Sequence, residues 1–269
     1  MLRAHPWGMT DRPFRFGVVG SGADLRTWTD LARHAEDLGF DTLLSPDPQG
    51  ELDPFTILSS AAAVTERLHV GTFVAVDKFR DRRLLDWQAR SLHQFTGGRF
   101  ELGLGSGRPQ AAARIEAFGG SLDGRFTHLA ETVDFLLAQE DRPPLLLAAG
   151  GPKTRALAAE KADIATMAWS PRTTEAEAVS YVDSFRGKPV ELAANLLAVG
   201  DEPAPWLERF IGVGVPELVA GGAVTVLPGT PEEGAERLLR WREELGISYV
   251  TVNSGFMGAF AEVIEVLRR

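Results

Sequence analysis

Short apolar runs recur along the chain, and each is followed by a segment whose apolar positions fall three or four residues apart. The first run, 14–20, ends in glycine. Residues 24–38 then place Trp28, Leu31, Ala32, Ala35 and Leu38 on one helical face, and Gly39 supplies a stop signal. The same reading predicts strands at 41–45, 68–76, 99–104, 145–149, 164–169, 190–199 and 248–252. It predicts helices at 54–65, 82–94, 123–138, 152–161, 175–185, 230–245 and 256–267. Thr230-Pro231-Glu232-Glu233 is a strong helix start, with threonine as N-cap, proline in the first turn and glutamate three residues after the cap. Between 200 and 229 the pattern loosens into a short helix near Trp206–Ile211 and a glycine-rich loop. Eight strands, each followed by a helix, predict a closed (β/α)8 TIM-type barrel with a short irregular insertion after strand seven. The rival is a doubly wound open sheet.

Composition changes this picture little. At 269 residues the chain is long enough for one barrel domain spanning 1–269, with no linker or low-complexity segment. The net charge of −9 argues against a nucleic-acid surface. The absence of cysteine excludes disulfides, thiolate nucleophiles and cysteine-ligated metals. The N-terminal segment lacks the apolar core of a signal peptide, and no stretch approaches the ~20 apolar residues of a membrane span, so a cytoplasmic protein is expected.

In a barrel the chemistry sits in the loops after the strands. Two of those loops are rich in glycine. Gly103-Leu104-Gly105-Ser106-Gly107 fails as a dinucleotide fingerprint because Arg108 stands at its next position, and Gly20-Ser21-Gly22 lacks a third glycine. The 103–107 run reads either as a tight turn or as backbone that lets a flat ring lie close. Gly150-Gly151-Pro152-Lys153 joins a strand to a helix, where first-turn N–H groups, the helix dipole and a lysine make a phosphate seat; a plain turn is the alternative. None of the five histidines falls at a predicted mouth, which disfavours a metal site or a histidine base. Asp47, held between Pro46 and Pro48, is the mouth carboxylate of most interest, though an aspartate before proline also caps turns. Trp169, ending strand six, either walls a ring-shaped ligand or plugs the barrel end.

Five segments, RHAEDLGFDTLLSPD (33–47), LHVGTFVAVDKFR (68–80), TGGRFELGLGSG (96–107), LLLAAGGPKTRALAAEKADI (145–164) and GTPEEGAERLLRWREELGISYV (229–250), together resemble the luciferase-like monooxygenase family, and most of all its branch that uses the deazaflavin coenzyme F420. The resemblance spans nearly the whole chain. It implies a non-proline cis peptide at Phe73–Val74 under the cofactor ring. It also implies a cofactor-lining loop at Gly105, Ser106 and Gly107, and a phosphate site at Ala149, Gly150, Gly151 and Pro152, beside Lys153. It further implies a homodimer packed through barrel helices. The sequence departs from the family in two places. Where relatives carry Asp-His after strand two, this chain has Asp47-Pro48; where some sugar-phosphate dehydrogenases place glutamate, it has Arg108. The resemblance thus implies an oxidoreductase that moves a hydride to or from a small organic substrate with F420. Asp47 and Arg108 are then the default proton-transfer groups. The alternatives are an FMN-dependent two-component monooxygenase and a flavin-binding barrel without catalysis.

Overall fold

A computed structural model describes residues 12–47, 52–201 and 205–269. The N-terminal tail with His5, and Pro48 and Glu51, lie outside the described residues. The first half of the chain runs β1 (Arg15–Val19), α1 (Leu25–Asp37), β2 (Thr42–Ser45), α2 (Pro54–Ala63), β3 (His69–Thr72), β4 (Ala75–Val76), α3 (Arg82–Phe95) and β5 (Phe100–Gly105). Next come α4 (Ala112–Ala117), α5 (Arg125–Leu137), β6 (Leu145–Ala149), α6 (Pro152–Lys161), β7 (Ile164–Met167), α7 (Glu175–Val182) and β8 (Glu191–Leu196). The chain closes with β9 (Ala198–Val199), α8 (Pro205–Ile211), α9 (Val215–Ala220), β10 (Val226–Leu227), α10 (Pro231–Leu245), β11 (Ile247–Asn253) and α11 (Met257–Arg268).

Among the described residues the strands order as β3-β2-β1-β11-β8-β7-β6-β5-β4, all pairings are parallel, and a β3–β5 pairing joins the two ends. The sheet is therefore the closed eight-stranded barrel, not the open sheet, with β3 and β4 forming the two halves of one strand position. Helix starts follow local chemistry. Asp24, Asp53 and Asp81 cap α1, α2 and α3 with their carboxylates. Thr174 and Thr230 close capping boxes with Glu177 and Glu233 at the starts of α7 and α10.

Four segments differ from the sequence expectation. The expected strand at 68–76 is interrupted at 73–74, between β3 and β4. The expected strand at 190–199 leaves the barrel after Leu196, and β9 pairs instead with β10 in a separate two-stranded sheet. Two six-residue helices, α4 and α9, are too short to show a period of 3.6; Pro216 sits in the first turn of α9, where a proline suits a helix start.

Side chains alternate along each strand, so one set faces the helices and the other the barrel axis. The lower interior is filled by large groups. Arg15 donates to Glu191 Oε2 at 2.7 Å and to Glu101 Oε2 at 2.8 Å, and its guanidinium lies 4.3 Å from the Tyr249 ring centre. The Tyr249 hydroxyl donates to Glu101 Oε1 at 2.8 Å. Leu44, Leu146, Ile164 and Ala193 join the Tyr249 ring in an apolar layer, on which Val19, Phe73 and Val74 pack.

Candidate functional site

The C-terminal half of the barrel interior is lined by small residues. Val19, Ala148 and Asn195 on the strands, Ala168 just after β7, and Phe73 and Val74 between β3 and β4 are half-exposed. They make the floor of an open bowl at the strand ends, where a barrel holds its ligands.

The bowl's shape depends on glycines of β5. The Phe73–Val74 peptide bond is cis, at the position implied by the sequence resemblance. Phe73 N–H donates to Ser45 O at 2.8 Å, and the Thr72 hydroxyl both donates to Gly103 O (2.7 Å) and accepts from Gly103 N–H (2.9 Å). A Cβ on Gly103 would sit 1.9 Å from Thr72 O, and one on Gly105 would sit 2.8 Å from Val74 Cγ2. Gly107 has φ +78° and packs against Val76 and Ile115. The glycine run therefore has a steric purpose: it admits the bulge that presents Val74 to the bowl. Ser106 lies half-exposed between these glycines at the rim.

The second glycine-rich loop opens α6. Gly151 is the N-cap, in extended backbone (φ −83°, ψ 168°), and no side chain caps the helix. Gly150 N–H donates to Thr154 Oγ1 at 3.1 Å. Pro152 has no N–H, so Lys153 and Thr154 present the first-turn donors. Gly151, Pro152 and Lys153 are exposed, and a Cβ on Gly151 would meet nothing within 4 Å. Ala149 contributes backbone here, since its side chain is buried among the outer core residues. Donors, dipole and the Lys153 ammonium together suit a phosphate group.

The remaining candidates stand outside the floor. Asp47 is buried and clamped: Arg80 donates to both its oxygens at 2.7 and 3.0 Å, and Val76 N–H donates to Oδ2 at 2.9 Å. Arg80 also binds Asp53 at 2.7 Å. Burial pushes the Asp53 carboxyl up, but Arg80 and the Thr56 hydrogen bonds hold it below the usual carboxylate range. With every Asp47 oxygen engaged, Asp47 ties the β2 loop to the loop before α3. Arg108 is exposed on the rim. Trp169 follows the alternation of Ile164 and Thr166 and so points outward, packing edge-on against Tyr181 of α7 at 6.1 Å between ring centres. The sequence also left one pairing unseen: buried Asp77 turns away from the bowl and meets His128 Nδ1 of α5 at 2.5 Å. Among the described residues no group of three or more His, Asp or Glu side chains could hold a metal ion, and no helix is long and apolar enough to cross a membrane.

The profile of the luciferase-like monooxygenase family matches residues 7–202. No curated protein matches the sequence. Solved structures with the same architecture include an F420-dependent secondary alcohol dehydrogenase in complex with an F420-acetone adduct. It is 16% identical, with a TM-score of 0.75, and the match covers 96% of this chain and 100% of that one. A monooxygenase from Streptomyces bottropensis matches at 18% identity and TM-score 0.73, over 95% of this chain and 100% of that one. A coenzyme F420-dependent tetrahydromethanopterin reductase from Methanopyrus kandleri matches at 16% identity and TM-score 0.72, over 94% and 97% of the two chains. At these identities the likeness establishes the shared fold.

Proposed function

This chain belongs to the luciferase-like monooxygenase family, and from that premise we propose that it is an oxidoreductase that holds coenzyme F420 in the bowl and transfers a hydride to or from a small organic substrate. The observation that carries the reading is the pairing of an open, apolar floor with an uncapped helix start at the same mouth. The cis-linked Phe73–Val74 segment and Gly105 support a flat ring; Gly105, Ser106 and Gly107 form its rim. Gly150, Gly151, the Ala149 backbone and the first turn at Pro152 and Lys153 take the phosphate. When bound, the deazaflavin supplies or accepts the hydride; the barrel supplies position and a dry surface. Asp47 serves as an anchor, since Arg80 occupies it. Arg108 is the rim group closest in sequence to the floor glycines, and solvent is the proton source.

The half-exposed floor favours a ligand-holding site over a barrel that has filled its mouth. FMN with oxygen is the second reading, supported by the monooxygenase of Streptomyces bottropensis among the similar structures. Titration of the purified protein with F420 and with FMN, followed by cofactor fluorescence, tests both. Dissociation constants on the order of tens of micromolar or tighter are expected for F420. If neither cofactor binds, the proposal fails; if only reduced FMN binds and oxygen is then consumed, the second reading replaces it. We extend the proposal to a homodimer through α3, whose Leu84, Trp87 and Phe95 are 42%, 68% and 79% exposed on one face. Sedimentation equilibrium of wild type and Trp87→Glu checks that point.

A further inference from the structure

On the bowl floor Asn195 of β8 lies beside its register partner Thr251 of β11. Strand alternation puts Asn195 on the same face as Ala193, which packs in the interior layer with Tyr249. The Thr251 hydroxyl donates to Asn195 Oδ1 at 2.9 Å, and Thr251 itself is fully buried. That bond, which is shorter than the 3.5 Å contact of the same hydroxyl to Ala194 O, engages the carbonyl end of the amide, so the NH2 end is the one available to a ligand on the half-exposed side of Asn195. Asn253, the neighbouring asparagine, has its Oδ1 engaged by Gly255 N–H.

The surroundings restrict what Asn195 can bind. The other half-exposed residues of the bowl are Val19, Phe73, Val74, Ala148, Ala168 and, at the end of β11, Asn253, none of them charged, and the charged groups of the interior are Arg15, Glu101 and Glu191 at the opposite end of the strands. A carboxylate or phosphate placed on the floor would be desolvated without a counter-charge, whereas a neutral oxygen acceptor would satisfy the amide donor. We propose that Asn195, oriented by Thr251, binds the oxygen of a neutral carbonyl substrate, a ketone or aldehyde. The assignment deepens the redox reading of the bowl and rests on it, with the substrate oxygen at Asn195 of β8 and the cofactor ring over Phe73–Val74 and Gly105 on the opposite side of the barrel. Thr251 is a positioning residue that acts through Asn195.

The test uses protein labelled with 15N-asparagine, whose Asn195 side-chain signals are identified by their loss in Asn195→Ala. The probes are 2-cyclohexen-1-one and cyclohexanecarboxylate, titrated with and without F420. The ketone is expected to shift the Asn195 amide, and the carboxylate to leave it in place. Asn195→Ala, with folding checked by circular dichroism, weakens ketone binding about threefold to tenfold, the loss of one neutral hydrogen bond. Thr251→Val reproduces the loss and Thr251→Ser restores binding. The proposal is overturned if the ketone does not move the amide, if Asn195→Ala binds it unchanged, or if the carboxylate binds as tightly. Cofactor binding is read separately by fluorescence. A protein that binds F420 but fails the amide test loses this assignment alone. A protein that binds no cofactor loses the redox reading, while the titration without F420 still decides the ketone site.

Discussion

At the N-terminal end of the strands Arg15, Glu101, Glu191 and Tyr249 fill the barrel and satisfy one another; at the C-terminal end glycine and alanine leave it open. The same ring of strands thus carries a plug and a bowl about two residue layers apart. Burial works against the Arg15 charge, yet Glu101 foremost, with Tyr249 and Glu191, holds its pKa above the ordinary arginine value. One end therefore concentrates fixed charge inside the barrel, while the floor at the other carries no charged side chain and keeps Lys153 and Arg108 at its rim. The difference separates stability from binding, and each can be disturbed alone.

The largest expected effect lies in the plug. Glu101→Ala leaves the half-buried Arg15 with Glu191 as its remaining carboxylate and removes the acceptor of the buried Tyr249 hydroxyl, and should cost about 3 kcal/mol in urea unfolding. A loss below about 1 kcal/mol would show that the plug adds little beyond packing. Next comes the boundary between the two ends. Gly103→Ala places a methyl on Thr72 O and should cost about 1–3 kcal/mol or more, with weakened cofactor binding in the same protein. Unchanged cofactor affinity would uncouple the β5 glycines from the bowl.

At the bowl the signs should oppose. Gly151→Asp meets no steric obstacle and supplies the side-chain N-cap that α6 lacks, raising stability by roughly 0.3 kcal/mol. The same carboxylate competes with a phosphate for the first-turn donors, so cofactor affinity should fall about tenfold. Parallel changes in melting temperature and affinity would sink the phosphate assignment. The smallest effect is alkaline. Burial, and then Glu101, raises the Tyr249 phenol well above its usual range. The unfolded chain releases that proton above pH ~10 while the folded chain keeps it, so stability is intact below pH ~10 and falls above it, by at most about 1.4 kcal/mol per pH unit. Tyr249→Phe should flatten that limb of the unfolding curve.

The sequence made the barrel legible because strand runs and helix caps are local signals. Thr230 with Glu233 forms the capping box that its spacing predicts. The departures arise where partners are distant in sequence. Nothing local tells β9 to leave β8 and pair with β10 twenty-odd residues later. Asp47 reads as a free mouth carboxylate until the fold brings Arg80 to it. Trp169 and Asn195 were readable in part: counting by twos from Ile164 turns the tryptophan outward, and counting from Glu191 turns the asparagine inward. What counting could not supply is Thr251, which fixes the Asn195 amide from across the sheet.

Several large interior side chains rest where a neighbouring strand carries glycine. A Cβ on Gly17 would lie 3.1 Å from the Tyr249 ring, one on Gly71 would lie 2.7 Å from Glu101, and one on Gly105 would lie 2.8 Å from Val74. Each large residue and its glycine occupy one shared volume, so neither can change alone without a clash or a void. In evolutionary terms the interior should drift by paired exchanges. A descendant that acquires a side chain at position 17 is expected to have lost bulk at 249, and the first of the two substitutions sets the order in which such a lineage can travel.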